Sequence, residues 1–512
     1  MDSANSEASS IDPGCLPAWN IDDLPDPAPI TRRNLLALVG PGLVLAGGSI
    51  GTGELIMGPQ VAARYHGAMM WIALVSVIAQ VVLNTEVMRY TVCTGEPVMT
   101  GFFRSRPGPR FWLFFYVLLD FAGWLPTLAS LSAEVLVVAL RGLGPADAVP
   151  PDAVRAISYM VFLGCAGLSL FGGKIFNTLQ VVIGGKVLFV LAYMLFTTIF
   201  FVSAKTWGEI WGGLFDVTRL PRDAAGNPSI DWGLVAALAG FSGVGGLGNI
   251  MASNFVREKG WGMGAKVGAI PSAFGGHAIK LSHVGTIFRD TDVNRDRFRR
   301  WFRYLAIDQY GIWALASLVG ILLPCLLGAQ YLQLDAVDAP AGGNWRWAAA
   351  LAQDFGAAKG PIFRTLTLVV ALVILIPGQF YVIDVTARRW TDAIWSGSRR
   401  ARKLDSRAIG RVYYTLAGLY VGWGMIVFTF FPKLSGSTMM IIGANLANLA
   451  IASTILHTWY VNRRFLPESV RPSAVKQVAM ALSACFFLSM FGMVVWQKIL
   501  PEIAKALAGG AA

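Results

Sequence analysis

The sequence predicts an all-helical membrane protein of about eleven spans, made of two five-span halves plus one added helix, with spans one and six broken. Three observations predict it. Of the 512 residues, 55% are hydrophobic and only 14% charged, far from the composition of a soluble domain. Apolar runs of about 18 residues or more recur along the chain. Basic residues crowd into alternate loops between those runs, as in membrane proteins with a fixed orientation.

The runs, in order, are 34–62, 68–93, 111–140, 154–171, 175–203, 232–255, 302–328, 362–387, 408–431, 435–460 and 474–497. Residues 1–30 are rich in Ser, Asp and Pro and have no basic start followed by an apolar stretch. This composition predicts a disordered cytosolic tail, not a signal peptide. The first repeat covers 31–203 and the second 232–460, leaving 461–512 for span eleven and the C-terminus. The five cysteines show no paired or metal-type spacing and read as apolar filler.

The formal net charge of +12 raises nucleic acid as a partner, but its distribution argues for topology. Arg32 and Arg33 precede span one. Arg104, Arg106 and Arg110 lie between spans two and three. Nine Lys and Arg residues from Arg257 to Arg300 lie between six and seven, and seven from Arg388 to Arg407 between eight and nine. The alternate loops 143–153 and 335–354 carry mostly Asp. The pattern places the N-terminus in the cytosol and, for an odd span count, the C-terminus outside the plasma or inner membrane. The charge then serves topology and contact with anionic lipid.

Two spans are unusual. Span one contains GGSIGTGE (47–54) and span six contains GFSGVGGLGN (240–249). Glycine weakens a helix by up to about 1 kcal/mol relative to alanine. In hydrocarbon, unwound backbone is tolerated only where protein or a water-filled cavity satisfies it. Close helix packing also uses glycine. However, these two clusters occupy corresponding positions of the two halves, which points to the central site of a secondary transporter. They lie an odd number of spans apart, five, so the second repeat is inverted.

Residues 40–95 resemble the first two spans of the Nramp family of proton-coupled divalent-metal transporters. The resemblance rests on GPG (40–42), QVAARYHG (60–67), Trp71, Ser76, Thr85, Arg89 and TG (94–95). LIPGQ (375–379) is similar to the family's Gly-Gln in span eight, and Asp308 to an Asp opening span seven. The resemblance implies the LeuT-type fold. It does not extend to the metal ligands. Where the family has Asp-Pro-Gly-Asn, this chain has Gly51, Thr52, Gly53 and Glu54. Aligned on Asn249, the family's ligand Met falls on Gly246, its Ala on Gly243 and its His on Gly248. Thioether ligation, which helps select transition metals, is gone, and Glu54 alone remains as a metal ligand. Asp120 and Glu134 lie in span three, but not at the spacing of the family's proton route.

A break lined by glycine presents backbone N–H groups and the positive end of a half-helix, which suits an anion. GGSIGTGELI is also similar to the first-span motif of amino-acid permeases. The favoured substrate is therefore a small anion, such as bicarbonate, a carboxylate or an amino acid. It would be held by Ser49, Gly51, Thr52, Gly53, Glu54, Ser242, Gly243, Gly246, Asn249 and Gln379. Glu54 either caps the second half-helix or couples transport to H⁺ or Na⁺. Lys186 either neutralises an anion or serves structure. Glu86 and Arg89, three apart on span two, form a structural pair. Asn445 and Asn448 either line the site or join helices. The alternatives are a divalent-metal transporter and a non-transporting sensor or scaffold. No nucleophile–base set marks an enzyme, and no motif asks for a cofactor beyond the coupling ion.

Overall fold

The computed structural model describes residues 12–31, 41–49, 53–144, 147–171, 175–222, 228–268, 282–333, 347–404 and 408–509. Among the described residues, each of the eleven apolar runs contains helix. Spans two, four, five, eight, nine, ten and eleven contain the helices Trp71–Thr94, Pro151–Phe171, Ile175–Phe201, Pro361–Gly397, Ile409–Phe430, Gly436–Phe465 and Ala474–Val494. Span one is split into Pro41–Ser49 and Gly53–Tyr65, and span six into Trp232–Phe241 and Met251–Glu258. Among the described residues six helices are long and apolar enough to cross a membrane, and the span-six pair, bent by 49°, makes a seventh. The chain is a multi-pass membrane protein.

Two spans depart from the expected pattern. Span three, expected to be continuous, is cut into Pro109–Leu119 and Thr127–Arg141 by a short 3₁₀ turn at Phe121–Trp124. Pro126 lacks the N–H that a continuous helix would use and crowds the preceding turn. Span seven instead extends backwards into the basic loop. Asp292–Ala306 runs through a π-helical stretch, Ile307–Trp313, into Ala314–Tyr331. Thr291 caps its start by accepting from the Asn294 N–H.

The N-terminal segment also differs from expectation. Residues 12–31 are packed on the protein. Leu16, Trp19 and Leu24 are buried. A short strand β1, Asn20–Asp22, pairs in parallel with β2, Thr286–Phe288, in the loop between spans six and seven. Arg104 donates to the carbonyls of Pro13 and Pro17 and lies 3.8 Å from the Trp19 ring. Asp22 pairs with Lys266 at 2.8 Å and Asp26 with Arg300 at 2.6 Å. A low mean hydropathy hides this docking, because three apolar side chains and a few acids facing a basic loop are enough. Cys93, Cys165 and Cys325 are buried, whereas Cys15 and Cys485 are exposed.

The docked segment carries a pH prediction. The hydrogen bond from Lys266 holds the Asp22 carboxyl below its ordinary value of 3.8. A depressed carboxyl stabilises the docked state above its free pKa and loses that contribution as the pH falls through the depressed value. The segment is expected to stay docked from about pH 8 to 5 and to loosen only below about 4. Amide exchange at Thr286–Phe288, corrected for the intrinsic rate, reads this directly. Loosening between pH 7 and 5 would show that another group holds the segment.

Candidate solute-binding site

The break in span six is a backbone conformation that glycine permits. Gly243, Gly245 and Gly246 have φ of 120°, 74° and 52°, in the region that side chains disfavour. A Cβ on Gly243 would lie 2.8 Å from Gln80 Oε1 and 3.0 Å from the Trp313 ring. Unwinding frees backbone groups that need partners, and Gln80 on span two supplies them. Its Nε2 donates to the Ser242 carbonyl at 2.6 Å. Its Oε1 accepts from the Val244 N–H at 3.3 Å and from Asn249 Nδ2 at 3.1 Å. Ser76, one turn earlier, donates to the Ala239 carbonyl at 2.6 Å. Asn84, one turn later, donates to Gln309, and Gln309 donates to Asp308 Oδ2, which also accepts from the Gly42 N–H. A polar stripe at i, i+4, i+8 thus links the sixth break to the start of span one.

At the first break, Gly51 and Thr52 lie outside the described residues. Ser49 ends one half-helix and Gly53 begins the next, with Glu54 in its first turn. The side chains of Ser49 and Glu54 also lie outside the described ones. Lys186 donates to the Gly47 carbonyl at 3.4 Å, putting a cation at the negative end of the first half-helix.

A cavity of about 150 Å³ lies where the breaks of spans three and six face spans eight and ten. Its lining includes Asp120, Gly246, Gln379, Tyr381, Arg389 and Ala447. Of the expected site residues it gathers Gly246 and Gln379. Ser242 and Asn249 are instead held by Gln80, and Gly243 packs on Trp313. Gln379 accepts from the Ala129 N–H at 3.0 Å and donates to the Tyr420 hydroxyl at 3.3 Å. It therefore ties the second half of span three to spans eight and nine. Asn445 and Asn448 donate to the carbonyls of Gly233 and Ala236, joining span ten to span six.

The charged groups sort in the same way. Glu86 holds Arg89 at 2.8 Å and Lys476 at 3.2 Å, extending the expected pair. Glu134 Oε1 accepts from the Ala348 N–H at 2.8 Å at the start of helix Trp347–Lys359. Asp120 sits at the cavity: its Oδ2 accepts from Arg389 Nη2 at 2.5 Å and from Trp390 Nε1 at 2.8 Å. Asp120 was legible as an acid within a span, but its partner Arg389 stands in a loop by the charge pattern. Gln80 and Tyr381 carried no local signal.

No protein-family model and no curated protein matches the chain. Solved structures do. A mutant of the Eremococcus coleocola manganese transporter superposes with a TM-score of 0.63 at 13% identity, covering 92% of this chain and 89% of that one. The same transporter in complex with an aromatic bis-isothiourea substituted compound gives 0.60 at 13% identity over the same shares. The fold is therefore the expected LeuT-type arrangement of two inverted five-span halves plus an eleventh helix, broken at spans one and six.

Proposed function

We propose that this chain is a secondary active membrane transporter related to the Nramp family, carrying a small anion coupled to H⁺ or Na⁺. The candidates are bicarbonate, a short carboxylate or an amino acid. One observation carries the choice of substrate. The broken sixth span opens on a cavity whose lining carboxylate, Asp120, is already engaged by Arg389 and Trp390. A divalent cation needs several free oxygen, nitrogen or sulfur donors, whereas a guanidinium and glycine-rich backbone suit an anion. The described tail 12–31 packs on the basic loops, which supports a cytosolic N-terminus on their side of the membrane.

A second reading keeps the metal. The superposed structures are manganese transporters, and under that reading Glu54 would be the ligand supplied by the first break. Manganese uptake into proteoliposomes, with a genuine Nramp metal transporter as the working control, separates the two. Absence of saturable Mn²⁺ uptake is expected. Saturable uptake abolished by Glu54→Gln would move the substrate from anion to metal.

A further inference from the structure

A second cavity, of about 550 Å³, lies away from the breaks, among spans one, six, ten and eleven. It has a polar end, built at helix termini. Arg64 stands in the last turn of Gly53–Tyr65, Asp231 caps the start of Trp232–Phe241, and Lys498 lies in the π-helical stretch Val495–Ile499 that follows span eleven. Asp231 lies 3.8 Å from Arg64 and 3.2 Å from Lys498. The wall along spans ten and eleven is apolar over Ile441, Leu446, Phe491 and Val494. Gln60 also lines the cavity. It is 3% exposed, has no hydrogen-bond partner among the described residues, and its amide is not sealed from water. A buried amide left open at a cavity is one that a ligand can complete.

The cavity opens on the lipid-facing surface. Ile442 and Ile499 belong to its wall and are 47% and 41% exposed, and an exposed isoleucine at the end of a spanning helix faces acyl chains. Trp496, two residues before Lys498, is exposed as well, and exposed tryptophans gather at the level of the headgroups. The charged end thus stands at headgroup depth and the apolar wall runs from it along the spans. One water takes roughly 10–15 Å³ of such volume, so the space far exceeds what a small ion needs. Two cations beside one acid favour an anionic headgroup. A zwitterionic headgroup would bring its own cation up to Arg64 and Lys498, and like charges repel.

We propose that this cavity holds an anionic phospholipid, its phosphate bound by Lys498 and Arg64, its ester region against Gln60 and an acyl chain along Ile441, Leu446 and Phe491. Lys498 has three donors, so a phosphate oxygen can join Asp231 on the same ammonium. The lipid site does not depend on which solute the protein carries.

Native mass spectrometry of the delipidated full-length protein in neutral detergent tests it, with phosphatidylglycerol, phosphatidylcholine and sodium phosphate as probes. Phosphatidylglycerol should bind at least about tenfold more tightly than phosphatidylcholine, and sodium phosphate more weakly than either. Lys498→Gln should weaken phosphatidylglycerol about fivefold and leave phosphatidylcholine unchanged. Leu446→Trp, which puts bulk where the acyl chain lies, should weaken it about tenfold or more. Lys498→Gln should keep the unfolding midpoint measured without lipid, because a partly exposed ion pair contributes little. Should Leu446→Trp lower that midpoint, Lys498→Gln decides alone. Absence of phosphatidylglycerol binding, equal affinity for the two lipids, or undiminished phosphatidylglycerol binding to Lys498→Gln or to a stably folded Leu446→Trp overturns the proposal. Phosphate bound as tightly as phosphatidylglycerol overturns it in favour of a free anion.

Discussion

Asp392→Ala should destabilise the protein by about 3–5 kcal/mol. Asp392 Oδ1 and Oδ2 each accept from Arg257 at 2.9 Å, and Oδ2 also accepts from Asn254 at 2.5 Å. This triad fastens the second half of span six, Met251–Glu258, to the C-terminal end of the span-eight helix, Pro361–Gly397. Arg257 is 3% exposed, so losing the carboxylate strands a buried guanidinium. Replacing both partners, as in Arg257→Met with Asp392→Leu, should recover most of the loss, because an apolar pair has no charge to desolvate. Denaturant unfolding of the single and double variants measures both effects. A cost below about 1 kcal/mol for Asp392→Ala would mean that water reaches the pair and that the half-helix is held by something else.

Gln80→Leu should cost about 3 kcal/mol or more, since it leaves the Ser242 carbonyl, the Val244 N–H and the Asn249 amide without their partner at once. The damage should be local. Amide exchange should rise first over residues 242–249, with the helices on either side keeping their protection. Uptake of solute should fall with it, because the break borders the cavity. Unchanged exchange at Val244 in this variant would mean that Gln80 is a bystander and that the unwound backbone is satisfied elsewhere.

Much of this architecture was legible because it is written locally. Apolar runs show where helices cross a membrane, and a glycine cluster shows where one cannot continue. The sixth break appears at the glycines that marked it. The break in span three carried its own local signal, Gly123 and Pro126, but one proline in an apolar run is common in membrane helices and does not stand out. The groups that complete the site were less legible, because they depend on packing between distant spans. Gln80 meets Asn249 across 169 positions and Asp120 meets Arg389 across 269. Neither pairing has a sequence period. Tyr381 differs from any interfacial tyrosine only in that it lines a cavity. The docked tail was missed for a different reason: a mean over thirty residues dilutes Leu16, Trp19 and Leu24, which do the packing.

The break and its cavity as a solute path can be tested at one position. Ala447 on span ten faces Gly246, with about a methyl contact between them: a Cβ on Gly246 would lie 3.6 Å from the Ala447 Cβ. Ala447→Cys, in a background with the native cysteines replaced by serine, puts a single thiol in the cavity wall. The measurement is uptake into proteoliposomes of whichever of Mn²⁺ and hydrogen carbonate the unlabelled variant accumulates, before and after reaction with a methanethiosulfonate reagent. Labelling should block uptake, and saturating solute should slow the labelling. Complete labelling with uptake unchanged would contradict a solute path through the sixth break.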